Sequence, residues 1–118
     1  MVLRYMDNIK TPTYYLLKII EDINFVIDNT IGMSIEEFSE DEVLNCAVSF
    51  KFIQISENAK QLPTSLIEAY PQVPWKKING LRNRIVHDYG NVQLDIIYNT
   101  IEKDLPFLLK QVKALIND

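Results

Sequence analysis

The sequence predicts an all-α protein, an antiparallel up-and-down bundle of four main helices with one short extra helix. Apolar residues recur at intervals of three and four along most of the chain, which is the period of an α-helix. Proline and glycine separate these segments, and no alternating run is long enough to indicate a strand. At 118 residues, we expect one domain spanning residues 1–118.

The composition, 47% hydrophobic and 24% charged, is that of an ordinary globular protein. Its apolar runs are far shorter than the roughly 20 residues that cross a bilayer, so the sequence excludes a membrane-spanning protein. Met1 to Lys10 does not resemble a secretory signal, and we expect a cytoplasmic protein. The net charge of −4 argues against indiscriminate coating of nucleic acid, because such binding needs many cationic contacts with phosphate.

The first amphipathic helix is predicted from about Thr13 to Ile31, with Gly32 as its natural end. Its polar side is expected to carry Lys18, Glu21, Asp22, Asp28 and Asn29. Ser39-Glu40-Asp41-Glu42 fits a capping box, in which a hydroxyl and a carboxylate three residues apart each satisfy a free backbone N–H. It therefore predicts the start of a long second helix that extends to about Leu62.

The second helix carries more apolar surface than one face can bury. The first of its two stripes is made of Leu44, Ala47, Val48, Ile55, Ala59 and Leu62, and the second of Val43, Phe50 and Ile53. A helix that needs cover on two sides is usually central to a bundle or shared with a partner. Cys46 is the only cysteine, which excludes an internal disulfide, and we expect it to be a small buried core residue.

Prolines punctuate the following segment at positions 63, 71 and 74. They allow a short helix from Thr64 to Tyr70 and a new helix that begins near Trp75. Asn91-Val92-Gln93 restarts the helical pattern, and a final helix from Leu94 to Leu115 is expected to bend at Pro106.

The segment from Gly80 to Tyr89 is where the sequence suggests chemistry. It holds the only histidine, His87, five residues after Arg82 and two before Tyr89. A guanidinium is a permanent cation suited to phosphate, an imidazole transfers protons near neutral pH, and a phenol can accept a modification. These residue types indicate phosphodiester chemistry.

The same segment is locally basic. From residue 76 to residue 84 there are four cations and no acid, and the cations are Lys76, Lys77, Arg82 and Arg84. Any binding of nucleic acid is therefore expected here, with Lys76, Lys77 and Arg84 as RNA-binding residues. The acids gather between Glu36 and Glu42, a run expected to be a solvated loop and helix start.

On an ideal helix, Arg82 lies within an apolar arc. Asn83 and His87 lie on the polar side, at about 100° and 140° around the helix from Arg82. An arginine so placed either extends its head to solvent or meets a charged partner. Cleavage of RNA without a metal needs a base, an acid and positive charge on the phosphate. One histidine leaves one proton transfer unassigned, which favours a homodimer with two copies in one cleft. The alternative is that His87 only caps the helix and Arg82 only packs.

The run from Tyr70 to Asn83, followed by His87-Asp88-Tyr89, closely resembles the HepT-like family of the HEPN superfamily. These are small all-helical ribonucleases of toxin–antitoxin pairs. Segments Ile55 to Lys60 and Glu102 to Pro106 also resemble family features, so the resemblance covers nearly the whole chain. It implies a HEPN-like fold.

The resemblance implies that Arg82 and His87 are catalytic and that Asn83 supports them, with neither metal nor cofactor. It implies a homodimer, and tRNA or mRNA as the substrate. It also implies a type VII-like pair in which a minimal nucleotidyltransferase antitoxin transfers AMP to Tyr89. Bulky anionic nucleotides beside Arg82 would then compete with the RNA phosphate.

One position departs from the family pattern. Ser56 stands where family members often have glycine, and Glu57, which follows it, is an undecided candidate for supporting the site. A competing function also remains open at this point, in which the chain is a non-catalytic binding module or the substrate subunit of a minimal nucleotidyltransferase.

Overall fold

The computed structural model describes residues 10–91 and 93–117, and within them the chain forms seven α-helices and no strand. The predicted all-α class is confirmed. The absence of a secretory signal was expected from Met1 to Lys10, and the restart of the helical pattern from a segment that contains Val92. Residues 1–9 and Val92 lie outside the described part. In the part that is described, no helix is both long and apolar enough to cross a bilayer.

Helix α1 spans Pro12–Thr30, close to its predicted range. The Thr11 hydroxyl caps it by accepting a hydrogen bond from the Tyr14 N–H at 3.3 Å, and Pro12 occupies the first turn, where no helical partner for its missing N–H is needed. Beyond the helix, Gly32 adopts a φ of 78°, a left-handed conformation that glycine reaches without steric cost. The predicted stop is confirmed.

The capping box lies five residues before the predicted one. The Ser34 hydroxyl accepts from the Glu37 N–H at 3.1 Å, and the Glu37 carboxylate accepts from the Ser34 N–H at 3.0 Å, which starts a short helix α2 at Ile35–Glu40. Ser39 therefore lies inside α2, and its assignment as a helix cap was wrong. Helix α3, Glu42–Ala59, is capped by Asp41, whose carboxylate accepts from the Leu44 N–H.

The second half contains α4 at Thr64–Ala69, α5 at Trp75–Asp88 and a 3-10 turn at Tyr89–Asn91. Two helices follow where one bent helix was predicted: α6 spans Leu94–Lys103 and α7 spans Leu105–Asn117. The break falls at Asp104, ahead of Pro106. Proline here occupies the first turn of α7, where it starts a helix without disrupting one.

Helix α3 packs between α1 and α5, and α1 also packs against α7. The core of these helices is apolar and includes Ile19, Ile23, Val48, Phe52, Ile55, Ile78, Ile97, Leu105 and Leu108.

One acid departs from the predicted pattern of α1. Asp22 is buried instead of exposed, with a carboxylate oxygen 3.0 Å from the Lys51 ammonium of α3. Lys51 also lies 4.8 Å from the centre of the Phe25 ring. A buried carboxylate is tolerated only when it is paired, so this ion pair ties α1 to α3 at one point of their interface.

Candidate active site on the face of α3 and α5

Helices α3 and α5 run antiparallel. This places the segment from Arg82 to Tyr89, which we call the motif, against defined residues of α3. Near the start of α5, the Ser56 hydroxyl donates to Asn79 Oδ1 at 2.5 Å. At the other end, Cys46 of α3 lies beside Tyr89, with Sγ and Oη 3.8 Å apart. Every motif residue from 82 to 89 therefore lies between these two contacts.

Arg82 is half-buried, with 21% of its side chain exposed, and its Nη2 lies 2.8 Å from Glu57 Oε1. Its Nη1 donates to Asn83 Oδ1 at 3.1 Å. The angles of the Glu57 contact fall outside hydrogen-bond geometry, since Glu57 Oε1 and Arg82 Nε are buried without a hydrogen-bond partner in the described residues. The contact is therefore an ion pair, and the charged partner expected for Arg82 is within the same chain.

Glu57 also lies 3.6 Å from the Lys60 ammonium, one turn further along α3. Its side chain is 43% exposed, although Oε1, the oxygen that makes both contacts, is buried. The carboxylate is thus shared between two cations, which leaves net positive charge beside Arg82. An approaching phosphate meets a guanidinium that is already oriented.

Asn83, Arg84 and His87 are all exposed, on the turns of α5 that follow Arg82. His87 is four residues after Asn83, so the two side chains lie on the same side of the helix. The structure brings Asn83 directly onto Arg82 and places His87 one turn beyond, where an imidazole can reach a substrate in solvent.

The predicted RNA-binding lysines differ in their surroundings. Lys76 is exposed near the start of α5. Lys77 is also exposed, but its ammonium is 2.8 Å from an Asp104 carboxylate oxygen at the junction of α6 and α7. Because this contact neutralises it, Lys77 is less available to phosphate than Lys76 and Arg84.

Tyr89 follows α5 in the 3-10 turn and is 41% exposed, with its hydroxyl beside the Cys46 thiol. Partial burial raises the pKa of the Tyr89 phenol, and the nearby Cys46 adds to the rise, while the neighbouring Ser49 hydroxyl opposes it. The phenol therefore stays protonated at neutral pH, and a reaction at this oxygen needs a base.

An apolar groove of about 440 Å³ lies between α3 and α5. Its lining includes Cys46, Phe50, Ile53, Ile85, Val86 and Tyr89, and we call it the α3–α5 groove. Cys46 is exposed here, so its assignment to the core was wrong. Val43, one turn before, is 81% exposed and Phe50 is 55% exposed. Two residues of the second apolar stripe of α3, Val43 and Phe50, are thus left exposed, whereas Ile53 packs partly against the core.

The contact between Glu57 and Arg82 joins two residues that are 25 positions apart on different helices, and sequence reasoning left Glu57 undecided. A signal was present, because an arginine in an apolar arc needs a charged partner. The sequence did not show which of the many acids would supply it.

Comparison with known proteins shows which family this chain is similar to. Residues 11–115 match the family described as Ribonuclease HepT-like. A candidate RNase of Caldanaerobacter subterraneus is 40% identical over 107 residues, which cover 91% of this chain and 96% of that protein. One from Methanocaldococcus jannaschii is 34% identical over 104 residues, covering 88% and 86% of the two chains.

A relative from Thermococcus cleftensis, whose name gives it as ribonuclease HepT, is 28% identical over 101 residues, covering 86% of this chain and 92% of its own. No solved structure matches the chain. The family match spans nearly all of the described helices, and it confirms the predicted ribonuclease class and HEPN-like fold. The chain belongs to the HepT-like ribonuclease family.

Proposed function

We propose that this protein is a metal-independent endoribonuclease toxin that cleaves tRNA or mRNA through Arg82 and His87. The observation that carries the proposal is the half-buried Arg82, fixed 2.8 Å from Glu57 and 3.1 Å from Asn83, with His87 exposed further along the same helix. A preoriented cation beside an exposed proton-transfer group is what phosphodiester cleavage requires.

In this mechanism, the Arg82 guanidinium binds the scissile phosphate and stabilises the added negative charge of the transition state. The His87 imidazole takes the proton of the 2′-hydroxyl, whose oxygen attacks phosphorus and displaces the 5′-oxygen. A second group, acting as an acid, must protonate the departing 5′-oxygen. The chain has one histidine, so we assign this step to His87 of a second copy.

The α3–α5 groove supports a homodimer. It presents Phe50 of α3 and Val86 of α5 to solvent, and Val43, one turn before Cys46 on α3, is exposed beside it. Large apolar side chains exposed together on one face indicate an interaction surface. Two copies that meet through this face would bring their two motifs close together.

The activity is tested by incubating the purified protein with total tRNA in the presence of a chelator. We expect cleavage by the wild type and none by His87→Ala. Arg82→Ala and Arg84→Ala form a matched pair, because both remove an arginine from α5 but only Arg82 is held by Glu57. Arg82→Ala should abolish turnover, whereas Arg84→Ala should weaken RNA binding and leave kcat nearly unchanged. Equal cleavage by His87→Ala and the wild type would sink the assignment.

We further propose that the protein forms a type VII-like pair with a minimal nucleotidyltransferase antitoxin, which transfers AMP to Tyr89. The Tyr89 oxygen would attack the α-phosphorus of ATP, release pyrophosphate and pass its proton to a base. Because its raised pKa keeps this phenol protonated, the reaction needs that base, and we assign it to the transferase.

The position of Tyr89 explains how the modification would inhibit. It is seven residues after Arg82, roughly 10 Å along the helix, so AMP on its oxygen adds an anion within reach of the cationic site. Intact mass after treatment with the cognate transferase and ATP should rise by one or more AMP units. Undiminished labelling of Tyr89→Phe would refute this acceptor.

A second function, a non-catalytic module that docks a nucleotidyltransferase, is favoured by the same uncovered groove with Tyr89 at its end. The two proposals differ in cells. If substitution of Arg82 or His87 changes neither growth inhibition nor RNA integrity while the partner still binds, the docking function is correct.

A further inference from the structure

A second cavity, of about 220 Å³, lies where α3, α4 and α5 meet, at the end of α5 that precedes the motif. Its apolar walls come from Ala59, Leu62 and Ile67. Ala59 and Leu62 are buried and Ile67 is partly buried, so the apolar wall of this open cavity is part of the core. Its volume suits one small planar group, since sites for drug-sized ligands are larger.

One residue of the cavity lining carries a polar group that the described fold does not satisfy. Trp75 lines it and is 6% exposed, and its indole Nε1 is buried without a hydrogen-bond partner in the described part of the chain. A buried donor left unpaired is costly, and in native proteins such a group is satisfied by the protein, by ordered water or by a ligand. This N–H is therefore a donor that a ligand of the cavity can satisfy.

The other polar groups of the cavity are mainly donors. Asn79 Oδ1 already accepts from Ser56, which leaves the Asn79 Nδ2 as the end of the amide for a ligand. Lys60 contributes an ammonium, and Thr64 contributes a hydroxyl that can donate or accept. Three nitrogen donors around apolar walls fit a flat ring that carries carbonyl acceptors.

The cavity adjoins the candidate active site through two short links. Asn79 precedes Arg82 by three residues, one turn on the same helix. Lys60 lies 3.6 Å from Glu57, which is in turn 2.8 Å from Arg82. A nucleotide whose base enters the cavity would thus have its phosphate near Arg82.

We propose that this cavity binds one unpaired, carbonyl-bearing nucleobase of the RNA, with uracil the best fit to its size, next to the phosphate held by Arg82. The proposal rests on the ribonuclease function and adds a specificity subsite to it. Proteins read single-stranded RNA in this way, by enclosing a splayed base between apolar or aromatic side chains and bonding to its edge.

Trp75 allows a direct test, because it is the only tryptophan in the chain and it lines the cavity. The full-length protein is titrated with UMP, AMP and ribose 5-phosphate while tryptophan fluorescence is recorded. UMP should give a saturable change at lower concentration than AMP, and ribose 5-phosphate should give none. A response to ribose 5-phosphate equal to that of UMP, AMP binding as tight as UMP binding, or no saturable response would each overturn the proposal.

Two substitutions on α4 provide a matched pair. Thr64→Phe places a ring in the cavity, whereas Ser65→Phe makes a similar change at an exposed neighbour outside its lining. Thr64→Phe should weaken UMP binding by about tenfold or more, and Ser65→Phe should not. Unchanged UMP binding by a folded Thr64→Phe would contradict the subsite, and the ribose 5-phosphate comparison decides the matter if this variant does not fold.

Cleavage of total tRNA is measured on the same preparation, so the two proposals fail separately. UMP binding without cleavage would contradict the ribonuclease mechanism alone. Cleavage without a UMP response would contradict the base subsite alone.

Discussion

Phe50→Ala is expected to dissociate the proposed homodimer. Phe50 is 55% exposed in the α3–α5 groove, which on a phenylalanine of roughly 200 Å² is about 110 Å² for a partner to cover. At about 25 cal/mol per Å², two copies would lose about 5.5 kcal/mol when both rings are removed. That value is a ceiling, because ordering costs consume part of it, and half of it still weakens association by roughly 100-fold.

Sedimentation equilibrium across a wide protein concentration range measures this change. Phe107→Ala is the matched control, since Phe107 is 44% exposed on α7 and lies outside the groove. We expect the wild type and Phe107→Ala to dimerise alike and Phe50→Ala to be monomeric at the same concentrations. The reasoning about the groove is refuted if the two phenylalanine variants associate equally well, or if the wild type is monomeric throughout.

Three further outcomes follow from individual contacts. Glu57→Gln, which keeps the side chain's size but removes the charge that orients the motif arginine, should lower kcat about tenfold without raising KM for RNA; an unchanged kcat would contradict a positioning role. Asp22→Asn should destabilise the fold by about 2 kcal/mol in urea because it leaves Lys51 without its carboxylate partner, whereas Asp28→Asn on the exposed side should be neutral. The hydrogen bonds of the α2 capping box lower the pKa of the Glu37 carboxyl group. The charged carboxylate therefore stabilises the fold fully above the unfolded pKa of 4.5, and this stabilisation is lost as pH falls below that value. Unfolding curves of Glu37→Gln should show a weaker loss of stability in acid.

Local patterns were sufficient to predict most of the helices but not every boundary. Ser34-Ile35-Glu36-Glu37 and Ser39-Glu40-Asp41-Glu42 both fit a capping box, five residues apart, and the sequence gives no way to choose between them. The chain uses the first and caps α3 with Asp41 instead. Pro106 likewise fits either a bend or a first turn, and only the break at Asp104 shows which applies.

The candidate site was predicted as far as residues on a single helix allow. The projection of α5 placed Arg82 among apolar residues and Asn83 with His87 on the polar side, in agreement with their burial. It did not identify Glu57, because contacts between helices depend on how they pack. For the same reason Cys46 was misplaced: periodicity reveals two apolar stripes on α3 but not which one the chain itself covers.

The antiparallel alignment of α3 and α5 also limits how this protein can change. Arg82 meets Glu57 at one level, and Tyr89 meets Cys46 eleven residues earlier on α3. Inserting or deleting a single residue between Arg82 and Tyr89 would rotate everything beyond it by about 100° around the helix and shift it by about 1.5 Å. The tyrosine would then move off Cys46, and the histidine would no longer lie at its present angle from the arginine. Substitutions within the motif alter one group at a time, whereas a change in its length separates all of them at once.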